Sequence, residues 1–240
     1  MFAPALLYAL GLNPWFAPEQ HDDVLYYFGA VSLLEGNGFS LGSVPITDWP
    51  PVLSGSLAAV MAVFGQSVWV AKAFVFLTVI AGIALVERVA RSFEHPNPAL
   101  VAALTALLPV SLISGVSILS EWPYLAASMA FFLALRKLSE TRLWRWALIA
   151  GALLAIASLT RFLGVFLGAA IIAQAISQAR KRGFATLVPE VAVAGIGSVF
   201  WLGWKARCQM LIDKGLAPSG AYDQTSYYLE RFTHFEPLEL

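Results

Sequence analysis

Apolar stretches close to 20 residues long recur from one end of this chain to the other. A helix of about 20 mostly apolar residues is what a bilayer crossing requires. The candidate crossings are residues 1–16, 67–87, 98–119, 121–138, 146–160, 162–179 and 185–204. Charged residues make up 12% of the chain and mean hydropathy is +0.72, whereas soluble domains carry about 25% charged residues. The sequence therefore predicts an all-α fold, a polytopic transmembrane helical bundle with about seven crossings.

Charge and cysteine content exclude several kinds of site. The formal net charge is zero, which argues against a surface that binds nucleic acid. Cys208 is the single cysteine, so the chain has neither an internal disulfide nor a cysteine-rich metal site. The three histidines are scattered without metal-ligand spacing, so no cofactor is expected. A divalent metal stays open as an alternative that the sequence does not indicate.

Basic residues predict which loops face the cytoplasm, because short cytoplasmic loops are enriched in Lys and Arg. Three clusters would all be cytoplasmic if seven crossings are drawn: Arg88 and Arg91; Arg136, Lys137, Arg142 and Arg145; Arg180, Lys181 and Arg182. Residues 13–66 carry five acids and no Lys or Arg, so this long first loop is predicted to face outward. We expect one transmembrane domain over residues 1–204, with 13–66 as its outer loop and 205–240 as an outward-facing tail.

Two apolar segments, 50–65 and 146–179, are compatible with more than one topology. Residues 50–65 are apolar enough to cross, but a crossing there would move Arg88 and Arg91 to the outside. We therefore predict an interfacial helix that begins at the proline pair and ends at Gly65. Residues 146–179 have basic flanks on both sides, so they must cross twice, with Arg161 at the outer tip.

The outer loop also contains a second predicted helix, over residues 22–35. Acidic residues in its first turn favour a helix N-terminus, and Gly36 and Gly38 are typical of a helix end. The segment that follows, up to the proline pair, is punctuated by Gly and Pro and is predicted to be a loop.

Four acidic residues are candidates for chemistry on the outer side: Asp22, Asp23, Glu121 and Asp48. A carboxylate at the mouth of a membrane cavity can accept a proton from a hydroxyl or amine nucleophile. Asp22 and Asp23 can equally cap a helix and solvate a loop. Glu121 either faces the same outer cavity or caps the helix that follows, and Asp48 is an alternative site acid or a loop residue.

Two cations and two tyrosines are candidates for binding. Arg161 lies among 33 otherwise uncharged residues, where a charge is costly and needs a partner. Its planar fork matches two phosphate oxygens, although snorkelling or pairing with a structural acid would also explain it. Lys72 is likewise a candidate for binding a lipid phosphate, or it snorkels to the interface, which is easier for lysine than for arginine. Tyr26 and Tyr27 could hold a sugar or a lipid headgroup, or serve as interfacial aromatics.

Four stretches, taken in order, resemble a known family. They are "DDVLYYFGAVSLLEGNGF" (22–39), "PPVLSGSLAAVMAVFGQS" (50–67), "SILSEWPYLAASMAFFLAL" (117–135) and "LTRFLGVFLGAAI" (159–171). This arrangement resembles the membrane-embedded GT-C glycosyltransferases of the protein-mannosyltransferase and aminoarabinose-transferase type, including the bacterial branch grouped as RgtA/B/C/D-like. The resemblance covers roughly residues 13–180 and rests on the order and spacing of the stretches.

The resemblance implies a reaction and roles for several residues. Such enzymes move a sugar from a polyprenyl-phosphate carrier to a glycan, lipid or protein acceptor at the outer side of a membrane, here a bacterial inner membrane. Asp22 matches the catalytic aspartate, the base on the acceptor in an inverting displacement. Asp23 matches a position where an acidic or small polar residue follows, and Glu121 matches the second acidic position. Arg161 is then expected to contact the carrier phosphate, with the prenyl chain in a groove between helices.

The chain also departs from the family's pattern. Relatives with aminoarabinose activity carry a lysine just before the proline pair, where this chain has Thr47, Asp48 and Trp49. Family members have eleven or more crossings, so about seven suggests a truncated member. A noncatalytic carrier-lipid-binding protein, a flippase component and an ion-coupled transporter therefore remain as alternative functions.

Overall fold

A computed structural model describes residues 2–16, 21–184 and 187–218, and these residues form an almost entirely helical bundle. The helices are α1 (Phe2–Gly11), α2 (His21–Leu34), α3 (Val52–Phe64), α4 (Val68–Ser92), α5 (Pro98–Leu107), α6 (Pro109–Val116), α7 (Glu121–Thr141), α8 (Trp144–Thr160), α9 (Gly168–Arg182) and α10 (Val188–Asp213). A 3-10 segment, Phe162–Leu167, joins α8 to α9. The predicted all-α membrane class is confirmed.

The ends of several helices differ from the predicted crossings. Helix α1 ends at Gly11, although residues 1–16 were predicted as one crossing. The predicted crossing 98–119 is two helices, α5 and α6, bent by 68°. Pro109 lies at this break, where its ring cannot continue the hydrogen bonding of the preceding helix. Helix α10 continues to Asp213, so the predicted tail begins as helix, and residues 219–240 lie outside the described part.

Within the described residues, two helices are long and apolar enough to cross a membrane on their own. These are α4 (Val68–Ser92) and the stretch Phe162–Lys181, which combines the 3-10 segment with α9. The bent pair α5–α6 would add a third if it forms one span. Helices α3 and α8 are apolar but shorter. The number of seven crossings therefore stays a prediction.

The long loop between α1 and α4 contains the two helices that the sequence predicts. Helix α3 follows the proline pair and ends at Gly65, whose φ of +93° favours glycine. Leu53 and Leu57 of α3 are fully buried against α2. The segment predicted as a plain loop contains a small antiparallel pair, β1 (Ser40–Leu41) and β2 (Val44–Pro45).

Helices α8 and α10 pack closely because glycines lie at their contact. A Cβ on Gly151 would come within 2.8 Å of Ile196, and one on Gly197 within 2.3 Å of Leu154. Small residues that let backbones approach are the usual basis of helix packing in membranes. These helices, with α7 and α9, enclose the largest buried cluster in the described part of the chain.

Charged side chains separate into two ends of the bundle. At one end, Arg142 donates two hydrogen bonds to Glu190, which is 1% exposed. At the other end of α10, Arg207 donates to the carbonyl oxygen of Ile46 at 3.1 Å. Glu190 and Arg207 are 17 positions apart on α10, which corresponds to roughly 26 Å along the helix, so the two contacts lie far apart. The α2–α3 loop region thus lies at the end of the bundle opposite the Arg142–Glu190 pair.

Candidate functional site

Tyr26 lies at the centre of the polar groups that gather at the α2–α3 end. It is on α2, 3% exposed, and its hydroxyl donates to Ser120 Oγ at 3.1 Å. Its own carbonyl oxygen accepts from Ser54 Oγ of α3 at 3.1 Å. Burial raises the pKa of Tyr26 far above its ordinary value. The phenol is therefore neutral near pH 7 and remains a hydrogen-bond donor.

Arg161 reaches the same point from the far end of α8. It lies between α8 and the 3-10 segment with an extended backbone, φ −142° and ψ 138°. Its Nη1 donates to Ser120 Oγ at 3.1 Å and to Glu121 Oε1 at 2.5 Å. Arg161 and Glu121 retain 28% and 36% side-chain exposure, so a ligand can approach this ion pair.

Ser120 and Glu121 begin α7, and their side chains turn toward other elements. Ser120 occupies the N-cap position, yet its side chain makes no capping hydrogen bond and instead accepts from Tyr26 and Arg161. Glu121 Oε2 is a buried atom that has no hydrogen-bond partner among the described residues. A buried acceptor of this kind calls for an explanation.

Asp22 joins this group from the first turn of α2. Its negative charge and that of Glu121 both raise the pKa of Tyr26, while the hydrogen bond to Ser120 and the charge of Arg161 lower it. These effects are smaller than that of burial, but each requires the charged group to lie near the phenol. The structure thus brings Asp22, Glu121 and Arg161 together around one hydroxyl, although they are far apart in the sequence.

Asp23 and Lys72 form a separate, deeper contact. Neighbouring residues on a helix point about 100° apart, so Asp23 does not share the direction of Asp22. Asp23 is fully buried and lies within electrostatic reach of Lys72, which is 2% exposed. Lys72 Nζ donates to the carbonyl oxygen of Trp15 at 2.6 Å and to Asn13 Oδ1 at 3.2 Å. These contacts connect α4 to α2 and to the segment after α1.

The remaining two predicted residues lie on either side of this centre. The Tyr27 ring packs edge-on against Phe16 and Phe28, with both centroid distances 5.4 Å, and burial raises its pKa. Asp48 lines a cleft beside the β1–β2 pair and accepts from Thr47 Oγ1 at 3.3 Å. Burial raises the pKa of Asp48, and the Thr47 hydrogen bond acts in the opposite direction.

Ser120 and Arg207 are residues whose place in the site the sequence did not indicate. Ser120 is an ordinary helix-cap residue in the sequence, and its partners lie 94 and 41 positions away. Arg207 follows the last predicted crossing, 185–204, and a cation at that place is typical of a helix-end anchor. It donates to the carbonyl oxygens of Ile46 and Phe39, and its guanidinium lies over Trp204 at 4.8 Å. A cation after an apolar helix was its one signal.

The described residues contain no group of three or more His, Cys, Asp and Glu side chains placed to hold a metal ion.

Comparison with protein families gives one match over most of the chain. Residues 48–204 match the model described as dolichyl-phosphate-mannose-protein mannosyltransferase. This range includes Glu121 and Arg161, whereas Asp22 and Tyr26 precede it. A comparison with curated proteins found no matching sequence.

A solved structure shares the fold. The chain is similar to the crystal structure of ArnT from Cupriavidus metallidurans in the apo state, with a TM-score of 0.58 and 15% sequence identity. The similarity covers 84% of this chain and 40% of the ArnT chain. The likeness establishes a membrane GT-C fold, and this chain corresponds to less than half the length of that protein.

Proposed function

The chain belongs to the dolichyl-phosphate-mannose-protein mannosyltransferase family, and from this we propose that it transfers a sugar from a polyprenyl-phosphate carrier to an acceptor at the outer face of a membrane. The general activity, that of a membrane glycosyltransferase, follows from the family and the GT-C fold. The donor, the acceptor side and the roles of individual residues are our proposal. The acceptor is a glycan, a lipid or a protein, and the membrane is a bacterial inner membrane.

One observation carries the proposal: Arg161 donates to both Ser120 and Glu121, and Ser120 accepts from Tyr26. Asp22 lies near enough to Tyr26 for its charge to act on the phenol. A sugar transfer needs a base for the acceptor and a cation for the departing phosphate. These groups come from α2, the start of α7 and the end of α8. Elements that are separate in sequence therefore supply the two kinds of group at one end of the bundle.

The bond changes are those of a single displacement. The acceptor oxygen or nitrogen attacks the anomeric carbon from the face opposite the phosphate. The bond from that carbon to the phosphate oxygen breaks, and its electron pair leaves with polyprenyl phosphate. Asp22 takes the acceptor proton, a step that contributes roughly 10²- to 10⁴-fold to the rate in such reactions. One displacement inverts the anomeric configuration.

Arg161 and Glu121 have complementary roles in this scheme. The guanidinium binds the carrier phosphate and stabilises the charge that develops on it as the bond breaks. Glu121, whose side chain is 36% exposed, orients the acceptor's second hydroxyl or amine. Tyr26 and Ser120 are positioning residues, because the Tyr26 hydroxyl donates to Ser120 Oγ and the same oxygen accepts from Arg161.

The experiment uses the full chain reconstituted in liposomes with polyprenyl-phosphate carriers that bear labelled mannose, glucose or aminoarabinose. An oligosaccharide, a glycolipid and a peptide are supplied as acceptors. We expect transfer of label from at least one donor, and none in liposomes without protein. Arg161→Gln should raise the KM for that donor at least about tenfold, the cost of losing a charge-assisted hydrogen bond. Lys214→Gln, which removes an exposed cation at the same end, should change KM less than about twofold.

Two outcomes would contradict the proposal. Wild-type protein that binds carrier lipid but transfers none of the sugars would make the chain a carrier-lipid-binding protein. Equal KM changes in Arg161→Gln and Lys214→Gln would remove Arg161 from the phosphate site.

A further inference from the structure

A cleft of about 320 Å³ opens beside the β1–β2 pair, at the same end of the bundle as the proposed site. Its lining includes Leu25 of α2, Leu41 and Val44 of the strand pair, and the run Thr47, Asp48 and Trp49. Ligand pockets for small molecules begin at roughly 300 Å³. The cleft therefore has room for a group the size of one sugar ring.

The wall of this cleft is held by contacts from three elements. Ile46 N donates to the carbonyl oxygen of Phe39 at 3.0 Å across the strand pair. Arg207 of α10 donates to the carbonyl oxygens of both residues, and Cys208 Sγ lies 3.5 Å from the carbonyl oxygen of Thr47. Backbone fixed in this way positions the Asp48 and Trp49 side chains before a ligand arrives, which reduces the ordering cost of binding.

The chemistry of the lining selects a class of ligand. Among the described residues that line the cleft, Asp48 supplies a carboxylate and none supplies a cation. An ionised carboxylate accepts hydrogen bonds from hydroxyl or ammonium groups and repels phosphate. Trp49 adds a large aromatic surface suited to the C–H face of a sugar ring. This combination fits an uncharged or amino sugar and disfavours the phosphorylated end of a carrier.

The cleft also lies close to the proposed base. Leu25 is three residues after Asp22, and residues at this spacing share one face of a helix about one turn apart. A ring in the cleft would thus lie about one helical turn from Asp22. We infer that the Asp48–Trp49 cleft is the subsite for the acceptor, and that the acceptor presents a neutral or amino sugar ring there. The assignment of this subsite to the acceptor rests on the proposed function.

The test measures sugar binding without turnover. Saturation-transfer NMR on the full chain in nanodiscs, with no carrier lipid added, uses methyl α-mannoside, methyl glucosaminide and mannose 1-phosphate as probes. We expect millimolar binding of the first two and at least fivefold weaker binding of the phosphate. Asp48→Asn should weaken the methyl glycosides at least fivefold, and Trp49→Leu should do the same. Glu35→Gln, an exposed acid in the same loop region, is the matched control and should change binding less than twofold.

Folding of each variant is checked by the reactivity of Cys208, which is buried and is the chain's single cysteine. If Trp49→Leu unfolds, Trp49→Phe takes its place, because the smaller ring keeps an aromatic face and should give an intermediate loss. Glycoside binding that is equal in wild type and Asp48→Asn would overturn the inference. A preference for mannose 1-phosphate in the wild type would overturn it too.

The binding result and the transferase result can be told apart. Asp48-dependent glycoside binding without any transfer would support a sugar-binding site and contradict the proposed transferase activity. Sugar transfer whose acceptor KM is unchanged by Asp48→Asn would support the transferase activity and contradict the assignment of the cleft to the acceptor.

Discussion

Tyr26 and Tyr27 are adjacent and both buried, yet their surroundings differ. The Tyr26 hydroxyl is bonded to Ser120, whereas the Tyr27 ring packs against other aromatic rings. Tyr26→Phe removes one hydrogen bond and costs about 1 kcal/mol of stability, because Ser120 loses a partner. It also loosens Arg161, so we expect kcat for sugar transfer to fall roughly tenfold while the donor remains bound. Steady-state kinetics on the two variants provide the measurement.

Tyr27→Phe is the control for this change, since it deletes the same atom one residue away. We expect it to keep at least half of the wild-type kcat. Equal losses in the two variants would show that the Tyr26 hydroxyl contributes packing and no positioning.

The charged residues of the site were predictable because charge is costly in a membrane chain. Arg161 in an apolar helix pair and acids in a loop without cations each demand a partner. Which partner each one has was not predictable from the residues alone. Ser120 is the example, since its cap position predicts a local hydrogen bond and its hydroxyl serves two distant donors. Lys72, equally conspicuous in the sequence, is engaged by the segment after α1.

At the level of elements, Gly164 holds the 3-10 segment against α8. A Cβ at this position would lie 2.4 Å from the backbone nitrogen of Ser158, and backbone cannot move aside as a side chain can. Gly164→Ala should therefore displace the turn that carries Arg161 and destabilise the protein by about 1–3 kcal/mol or more. Thermal unfolding, followed by a thiol-reactive dye on Cys208, provides the measurement.

Gly168→Ala is the matched control, because a Cβ there would meet nothing within 4 Å. Its helical φ of −54° accepts alanine, so stability should rise by up to about 1 kcal/mol. If the two variants unfold at the same temperature, the close approach at Gly164 does not contribute to the stability of the protein.

The elements themselves were largely predictable, since apolar length, proline pairs and glycine stops are local signals. Helix α3 illustrates this, beginning after Pro51 and ending at Gly65 as predicted. The bend of 68° between α5 and α6 was not predicted, because apolar length alone indicated one crossing over 98–119. A proline inside such a run either ends or kinks a helix, and the sequence does not say which. The β1–β2 pair was missed because two-residue strands carry no alternation pattern.

At the scale of the whole molecule, we predict that the two polar ends of the bundle lie on opposite sides of the membrane. The Arg142–Glu190 pair and the loop held by Arg207 lie at opposite ends of α10. In a Cys208→Ala background, we expect Glu35→Cys to react with an impermeant maleimide on intact cells. Lys181→Cys should react after permeabilisation. Both positions are exposed, so accessibility reports the side of the membrane.

Labelling of both positions from the same side would contradict the predicted orientation. If that side is the cytoplasm, the proposed site would lie on the face of the membrane away from the acceptor.

The account depends most on Asp22 as the base of the transfer. Labelled donor is bound to wild-type, Asp22→Asn and Asp213→Asn proteins, and transfer is then followed through a single turnover after acceptor is added. Asp213 is an exposed acid near the same end of the bundle and serves as the matched control. We predict that Asp22→Asn binds donor as wild type does and transfers sugar at least about 100-fold more slowly, while Asp213→Asn is unchanged. Transfer by Asp22→Asn at the wild-type rate would contradict the account.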